Sequence, residues 1–352
     1  MGDLHMNHEI KEKAILLKEN GQLNAMGFAT HMNFIYNKEC AKAGPMPLKE
    51  WNFYQFHFEH YALQLTLGHL TYIGQMAATL IDLNTGKKWG YSTIKPLFTP
   101  QLDLNPEAPS VSEYKNNEAH LRFEVLEKKR ILKFQGSSKD FPAFDSIEAT
   151  SMHAPGIEIQ LVIENDPSNE KMVIATPFAK PKQFYLNYKE NYYKAEGYVR
   201  FGDKKVEFKN ANGLLDWGRG VWPYSHEWYW GSLTSHIDGV PFGLNIGWGF
   251  GDTSHATENM YFYDKKAYKV GKLIDEWDDN NLMAIKHFHD EDKKLQFTFT
   301  PFCDNYTCNE FVIVDTHCHQ VYGHFSGTIE TEDGTKEFKN MLGFIEHAVN
   351  RW

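Results

Sequence analysis

Short runs with period-two alternation, each closed by a turn signal, recur through this chain and constrain its fold more than any other feature. Tyr61, Leu63, Leu65 and Leu67 alternate with Ala62, Gln64, Thr66 and Gly68. A strand sends successive side chains to opposite faces, so this spacing predicts strands with one buried face. Asn84-Thr85-Gly86 then reads as a turn between two strands, and Glu127 to Arg130 as a charged turn between His120–Val125 and Ile131–Gln135. Asp238-Gly239, Asp290 to Lys294 and Asp333-Gly334 mark three more hairpins. Strands alternating with turns, without long helical stretches between them, predict an all-β chain of antiparallel meanders. Two segments break the pattern. Residues 8–19, HEIKEKAILLKE, read as a short helix or turn with Leu16 and Leu17 inward, and the C-terminus reads as a short helix running to Trp352. Gly27, Gly44, Pro45 and Pro47 make the following N-terminal segment irregular.

The 352 residues suffice for two domains. We divide them into an N-terminal extension over 1–50, a first β-domain over 51–205 and a second over 206–352, with the boundary loosely at 201–210. Residues 1–5 read as an appendage, with Met6 as the natural start. The aromatic share of 15% favours β-structure and aromatic-lined cavities. The net charge of −10 argues against a nucleic-acid partner, because phosphates require a basic face. It also argues against electrostatic docking on anionic lipid. No apolar run reaches the length of a transmembrane segment, and the N-terminus lacks a signal-peptide core. Cys40, Cys303, Cys308 and Cys318 are therefore expected as free thiols in a cytoplasmic protein.

Chemistry-bearing residues concentrate between Gly213 and Asp264, which hold five of the nine tryptophans: Trp217, Trp222, Trp228, Trp230 and Trp248. Among them stand Asp216 and Arg219, in DWGRG. Charged groups are costly to bury among rings unless paired. This placement builds either a salt bridge closing a turn or a site. In the second reading, desolvation favours the protonated carboxyl of Asp216 and makes it a proton donor. His255, Glu258 and Asn259 would supply polar partners, and Tyr224 and Asn245 would join the tryptophans in binding substrate. His226 and His236 read as ordinary polar neighbours. The glycine-dense GLNIGWGFG is not a dinucleotide fingerprint, since the spacing is wrong and no helix follows. Glycine at alternate strand positions clears one face for a ligand or a bulky neighbour such as Trp230. His287 with His289, and His317 with His319, each share a strand face and resemble metal ligands. The cysteine spacing fits neither a zinc ribbon nor a finger, so no metal and no cofactor is assigned.

The runs LLDWGRGVWPY, EWYWGS, GVPFGLNIGWGFG and TENMYFYD, with WNFYQF and YIGQMAATLIDLNTGKKWGYS upstream, resemble the bacterial family known as domain of unknown function 2804. The resemblance covers the chain from about Trp51 onward. It implies distant similarity to carotenoid 1,2-hydratases, tocopherol cyclases and fungal pericyclases. It thereby implies two lipocalin-like antiparallel β-barrels or sandwiches, and cofactor-independent acid chemistry on apolar substrates in an aromatic cavity. Asp216 and Trp217 are the positions that match the aspartate and tryptophan implicated in the hydratases. The expectation is a hydratase, cyclase or isomerase acting on a hydrophobic, lipid- or isoprenoid-like molecule. Arg219 would fix Asp216 or hold an anionic substrate group. A lipocalin-like carrier without chemistry and a carbohydrate-active β-sandwich are the alternatives.

Overall fold

The computed structural model describes residues 7–42, 48–96, 99–107, 109–136, 156–201, 204–310 and 314–352. Residues 1–6 and the breakers Gly44, Pro45 and Pro47 lie outside them. The described chain is almost entirely antiparallel β-structure, in two large curled sheets. A twelve-stranded sheet runs in the order Lys88–Pro96, Ile73–Asp82, Tyr61–His69, Leu48–Phe58, Lys204–Val221, Phe184–Phe201, Ile157–Glu164, Lys129–Gly136, Ala119–Val125 and Ser110–Lys115. Off this path, Met172–Pro177 pairs with Phe184–Phe201 and with Gly27–Ala29. A nine-stranded sheet runs Lys266–Lys269, Met260–Tyr263, Val240–Trp248, Ser225–Ile237, Gly334–Arg351, Asp315–Thr331, Leu295–Glu310, Lys286–Asp290 and Leu273–Asp275.

The chain divides into two compact units, one of residues 1–47, 169–192 and 219–352, the other of 48–168 and 193–218. The division falls inside the strands Phe184–Phe201 and Lys204–Val221. In the first unit the buried faces of the nine-stranded sheet contribute Phe242, Leu244, Phe299, Val321, Phe325 and Ile345 to one apolar core. A smaller core forms around Phe28, Met172, Ile174 and Phe262. In the second unit Tyr54, Phe56, Leu63, Leu65, Leu121, Phe123, Leu132 and Phe134 are buried. The alternation of Leu63, Leu65 and Leu67 is realised in a strand whose pairing with Leu48–Phe58 runs from His69 opposite Glu50 to Tyr61 opposite Phe58. Burial of a leucine side chain stabilises the fold by about 1.5–3 kcal/mol, which is why the alternating runs specify register so strongly.

The turns fall where the sequence places them. Asp238 and Gly239 both take positive φ, 50° and 84°, between the strands Ser225–Ile237 and Val240–Trp248. That is the backbone of a two-residue hairpin whose twist matches its strands. In the last hairpin the turn residues are Glu332 and Asp333, and Gly334, at φ 95°, opens the following strand opposite Thr331.

The two expected terminal helices are absent among the described residues, where the helical element is one 3-10 turn, Lys38–Cys40. In HEIKEKAILLKE the charges are spaced for a helix, but the backbone is used sideways. Ala14 N–H donates to the Asn33 carbonyl and Leu16 N–H to that of Ile35, so Ala14–Ile15 pairs parallel with Phe34–Ile35. Leu16 and Leu17 are buried all the same. At the C-terminus, Gly334–Arg351 is a strand with a neighbour on each side, Ser225–Ile237 and Asp315–Thr331. Gly343 shows why: the position a β-carbon would occupy lies 2.6 Å from the Ser232 carbonyl oxygen. Cross-strand packing overrides the local helical pattern.

Candidate functional site

The sequence DWGRG is neither a turn nor a loop; it lies within the strand Lys204–Val221. Asp216 and Arg219 are an odd number of residues apart in that extended strand, and alternation directs them to opposite faces. Asp216 is 7% exposed and Arg219 fully buried. In the second unit, the Asp216 carboxylate accepts a hydrogen bond from Trp51 Nε1 at 2.9 Å, an indole on the neighbouring strand. Gly218 permits the contact. A β-carbon there would stand 2.2 Å from Cζ2 of the same ring. The next residue repeats the motif: Trp217 Nε1 donates to Asp103 Oδ1 at 2.6 Å, while Asn52 Nδ2 donates to Asp103 Oδ2 at 3.2 Å. Deeper in this unit Arg130, 1% exposed, donates to the Asn165 side chain and the Tyr54 hydroxyl and lies 5.4 Å from the Tyr193 ring centre.

The other singled-out residues belong to the first unit and form two groups there. Trp222 stands at the centre of an aromatic cluster. It meets Tyr185 and Trp228 edge-on, stacks against Phe250 with centroids 5.9 Å apart, and packs against His226 at 4.9 Å. Trp228 Nε1 donates to Glu346 Oε1 at 2.8 Å, and Gln320 Nε2 donates to the other Glu346 oxygen at 3.3 Å. Tyr224, expected to bind substrate, is 54% exposed.

The second group is polar and dry. Trp230 Nε1 donates to Asn245 Oδ1 at 2.8 Å, and Asn245 Nδ2 donates to the Glu258 carbonyl at 2.8 Å. Glu258 lies 3.7 Å from the ammonium of Lys189, which sits 3.8 Å above the Trp230 ring centre. Both members of that ion pair are 4% exposed or less. Such a desolvated cation over an indole face is held by the ring quadrupole as well as by the carboxylate. Lys269 lies behind them, and burial pushes its ammonium down to about 7, with Glu258 acting in the opposite direction. Lys269 donates to Thr257 Oγ1 and to the carbonyls of Asn259 and Val270. Asn259 closes the group, accepting from Gly247 N–H and donating to the Gly271 carbonyl, both at 2.9 Å. His255 stands apart and half-exposed; its carbonyl accepts the backbone N–H groups of Asn7 and His8.

The glycine run clears space, though for other groups than Trp230. At Gly243 a β-carbon would meet the Asn191 carbonyl oxygen at 2.4 Å, and at Gly247 it would meet Glu258 Oε2 at 2.8 Å. Beyond them a hollow of about 300 Å³ opens, lined by Trp248, Gly249, Phe250, Thr257, Asn259 and Leu273 among others. Its rim ring Trp248 stacks on Tyr229, and Tyr229 stacks on His347. His347 contacts Glu227 through Nε2 at 2.7 Å and Asp279 through Nδ1 at 3.3 Å.

Sequence reasoning did not single out Trp51, Asp103, Lys189, Arg130 or Glu346. Their partners lie far along the chain, 165 residues from Trp51 to Asp216 and 118 from Trp228 to Glu346. The available signal was compositional: Trp51, Lys189, Arg130 and Glu346 stand in strands with aromatic neighbours, where a lone charge or indole needs a hydrogen-bond partner.

Fold and site together describe an all-β protein in which buried carboxylates are held by indole N–H groups. The chain belongs to the family of the domain of unknown function 2804, whose model matches residues 7–352. No curated protein matches it in sequence. Among solved structures, kievitone hydratase from Nectria haematococca is 10% identical, with a TM-score of 0.47 over 97% of this chain and 98% of that one. A Nitrosomonas europaea protein provisionally assigned as AttH is 11% identical, with a TM-score of 0.45 over 89% of this chain and 96% of that one. None of the four cysteines is in a disulfide, and among the described residues no helix is long and apolar enough to cross a membrane.

Proposed function

We propose that this protein is a cofactor-independent acid catalyst acting on a hydrophobic, lipid- or isoprenoid-like small molecule, with Asp216 as the proton donor. The observation that carries this reading is the Asp216 carboxyl, 7% exposed and hydrogen-bonded by the Trp51 indole. The sequence resemblance to isoprenoid hydratases and cyclases, which matches Asp216 and Trp217 to an implicated aspartate and tryptophan, supports it. In the proposed step the protonated Asp216 transfers its proton to one carbon of an alkene. The π pair forms the new C–H bond and the neighbouring carbon becomes a cation. Aromatic faces stabilise that cation. Water then adds to it and returns a proton to the Asp216 carboxylate, giving net hydration. Loss of a different proton to Asp216 gives isomerisation, and attack by an internal nucleophile or alkene, followed by loss of a proton from the cyclised cation to Asp216, gives cyclisation. Trp51 acts as a positioning residue, since its N–H fixes the carboxyl orientation.

The test is Asp216→Asn, assayed with prenyl alcohols from geraniol to geranylgeraniol and with squalene, products being read by mass spectrometry. The variant should keep the wild-type circular dichroism spectrum and lose turnover by at least about 100-fold, the scale of a general acid. Undiminished turnover removes Asp216 from the mechanism.

The hollow beside Trp248 and Phe250 favours a second reading, a carrier that binds without chemistry. Its volume is at the small end for ligand sites. Ligand recovered unchanged from wild type and from Asp216→Asn in equal amounts would support that reading over catalysis.

A further inference from the structure

The strands Leu295–Glu310 and Asp315–Thr331 form an antiparallel ribbon in which Cys308 lies opposite His317 and Glu310 opposite Asp315. Residues two apart on a strand share a face, and directly opposed β-carbons are about 4.5–5.5 Å apart. Four metal-ligating side chains therefore occupy adjacent positions on one face of one ribbon. Their donor atoms converge. Cys308 Sγ is 3.6 Å from Glu310 Oε1, His317 Nε2 is 3.7 Å from the same oxygen, and all three atoms lie within 4.8 Å of one another. Zinc bonds of about 2.0–2.3 Å at the tetrahedral angle place neighbouring ligand atoms about 3.3–3.8 Å apart. The observed separations fall on that edge length.

Two further features fit a metal site. Asp315 Oδ1 stands 2.8 Å from His317 Nε2 and so brings a fourth donor side chain to the cluster. The other imidazole nitrogen, Nδ1, is 2.6 Å from the Tyr306 hydroxyl. When Nδ1–H donates there, the Nε2 lone pair faces the cluster, the arrangement that outer partners impose on metal-bound histidines. Arg351 neutralises the other oxygen of Asp315, to which Nε and Nη2 donate. The second convergent group, Glu227, Asp279 and His347, has no thiolate, and both its imidazole nitrogens meet carboxylates.

We infer that Cys308, Glu310 and His317, flanked by Asp315, form a surface binding site for a thiophilic divalent cation, zinc by preference. Thiolate and imidazole donors select zinc over magnesium or calcium. Binding displaces the thiol proton of Cys308 to solvent, so affinity weakens as pH falls. The site is independent of the proposed acid chemistry, and its test does not use turnover.

The test is titration of the reduced, chelator-treated full-length protein with cobalt(II), followed by displacement with zinc against a chromophoric chelator. The expected result is one equivalent of cobalt giving a thiolate-to-cobalt charge-transfer band, abolished by zinc. Cys308→Ser should remove the band, and His317→Ala should weaken zinc binding by more than about tenfold. Tyr306→Phe should weaken it by about tenfold through loss of the outer partner. Cys318→Ser and His347→Gln should leave both readouts unchanged. Because Cys308 and Glu310 are exposed, these variants are expected to keep the wild-type circular dichroism spectrum. A wild-type protein without the band at saturating cobalt, or a band that survives Cys308→Ser, overturns the inference.

Discussion

Alanine at position 218 tests whether the Trp51 indole is clamped against Asp216. The added β-carbon would stand 2.2 Å from Trp51 Cζ2, 2.4 Å from Cε2 and 2.6 Å from Cη2. Carbon atoms in contact settle at about 3.5–4.0 Å, so the ring must retreat by more than about 1 Å. Cε2 is bonded to Nε1, so that retreat also breaks the 2.9 Å hydrogen bond to Asp216. Overpacking costs about 1–3 kcal/mol, and loss of a hydrogen bond to a neutral carboxyl about 0.5–1.5 kcal/mol. Their combination predicts that Gly218→Ala destabilises by about 2 kcal/mol or more. At a site with room, the same exchange stabilises by about 0.4–1 kcal/mol, so the sign alone is informative. In a Trp51→Leu background the obstructing ring is gone, and Gly218→Ala should cost less than about 1 kcal/mol. A urea-unfolding cycle of the two single variants and the double variant, followed by far-ultraviolet circular dichroism, gives the coupling. We expect about 1 kcal/mol or more. Additivity within about 0.5 kcal/mol would refute the clamp.

Two other predictions concern ionisable groups. Lys189→Met leaves Glu258 without its ion-pair partner in a dry site. It should cost about 3–5 kcal/mol in urea unfolding, with Lys189→Met/Glu258→Gln recovering a large part; a cost below about 1 kcal/mol would contradict the pairing. Burial pushes the His57 imidazole down to about 4, while the unfolded chain titrates near the ordinary 6.5. Between those values the unfolded state binds a proton that the folded state does not, so stability is full above pH 6.5 and falls as pH drops toward 4. The thermal midpoint should decline across that window, and His57→Leu should flatten the decline; an unchanged slope would remove His57 as its source.

The parts of the fold that were legible in the sequence are those set by neighbours along the chain. Leu63, Leu65 and Leu67 mark one strand face, and Asp238-Gly239 and Asp333-Gly334 mark hairpins, because period and turn chemistry are local. The termini were misleading for the same reason. In HEIKEKAILLKE the charge spacing is helical, but the hydrogen bonds go to Asn33 and Ile35 on another segment. The candidate site divides along the same line. A concentration of indoles with an acid among them is visible in the residues from Gly213 to Asp264. The identity of each acid's partner is not, since it follows from sheet order and register. The hydrogen bond from Trp51 to Asp216 was not legible, because strand pairing alone brings that indole to the carboxyl. Glu258 gave no hint of Lys189. The cross-strand square of Cys308, Glu310, Asp315 and His317 needed the register of the ribbon, although the histidines themselves stood out.

The most direct test of the central claim is carbon-bound deuterium. Hydration, isomerisation and cyclisation by the proposed route all begin with proton transfer to carbon. The wild-type protein, incubated in D2O with the prenyl alcohols and squalene, should yield products carrying non-exchangeable deuterium on carbon. Asp216→Asn should yield none above the no-protein control. Wild-type product without carbon-bound deuterium, or equal labelling by the variant, would contradict the account.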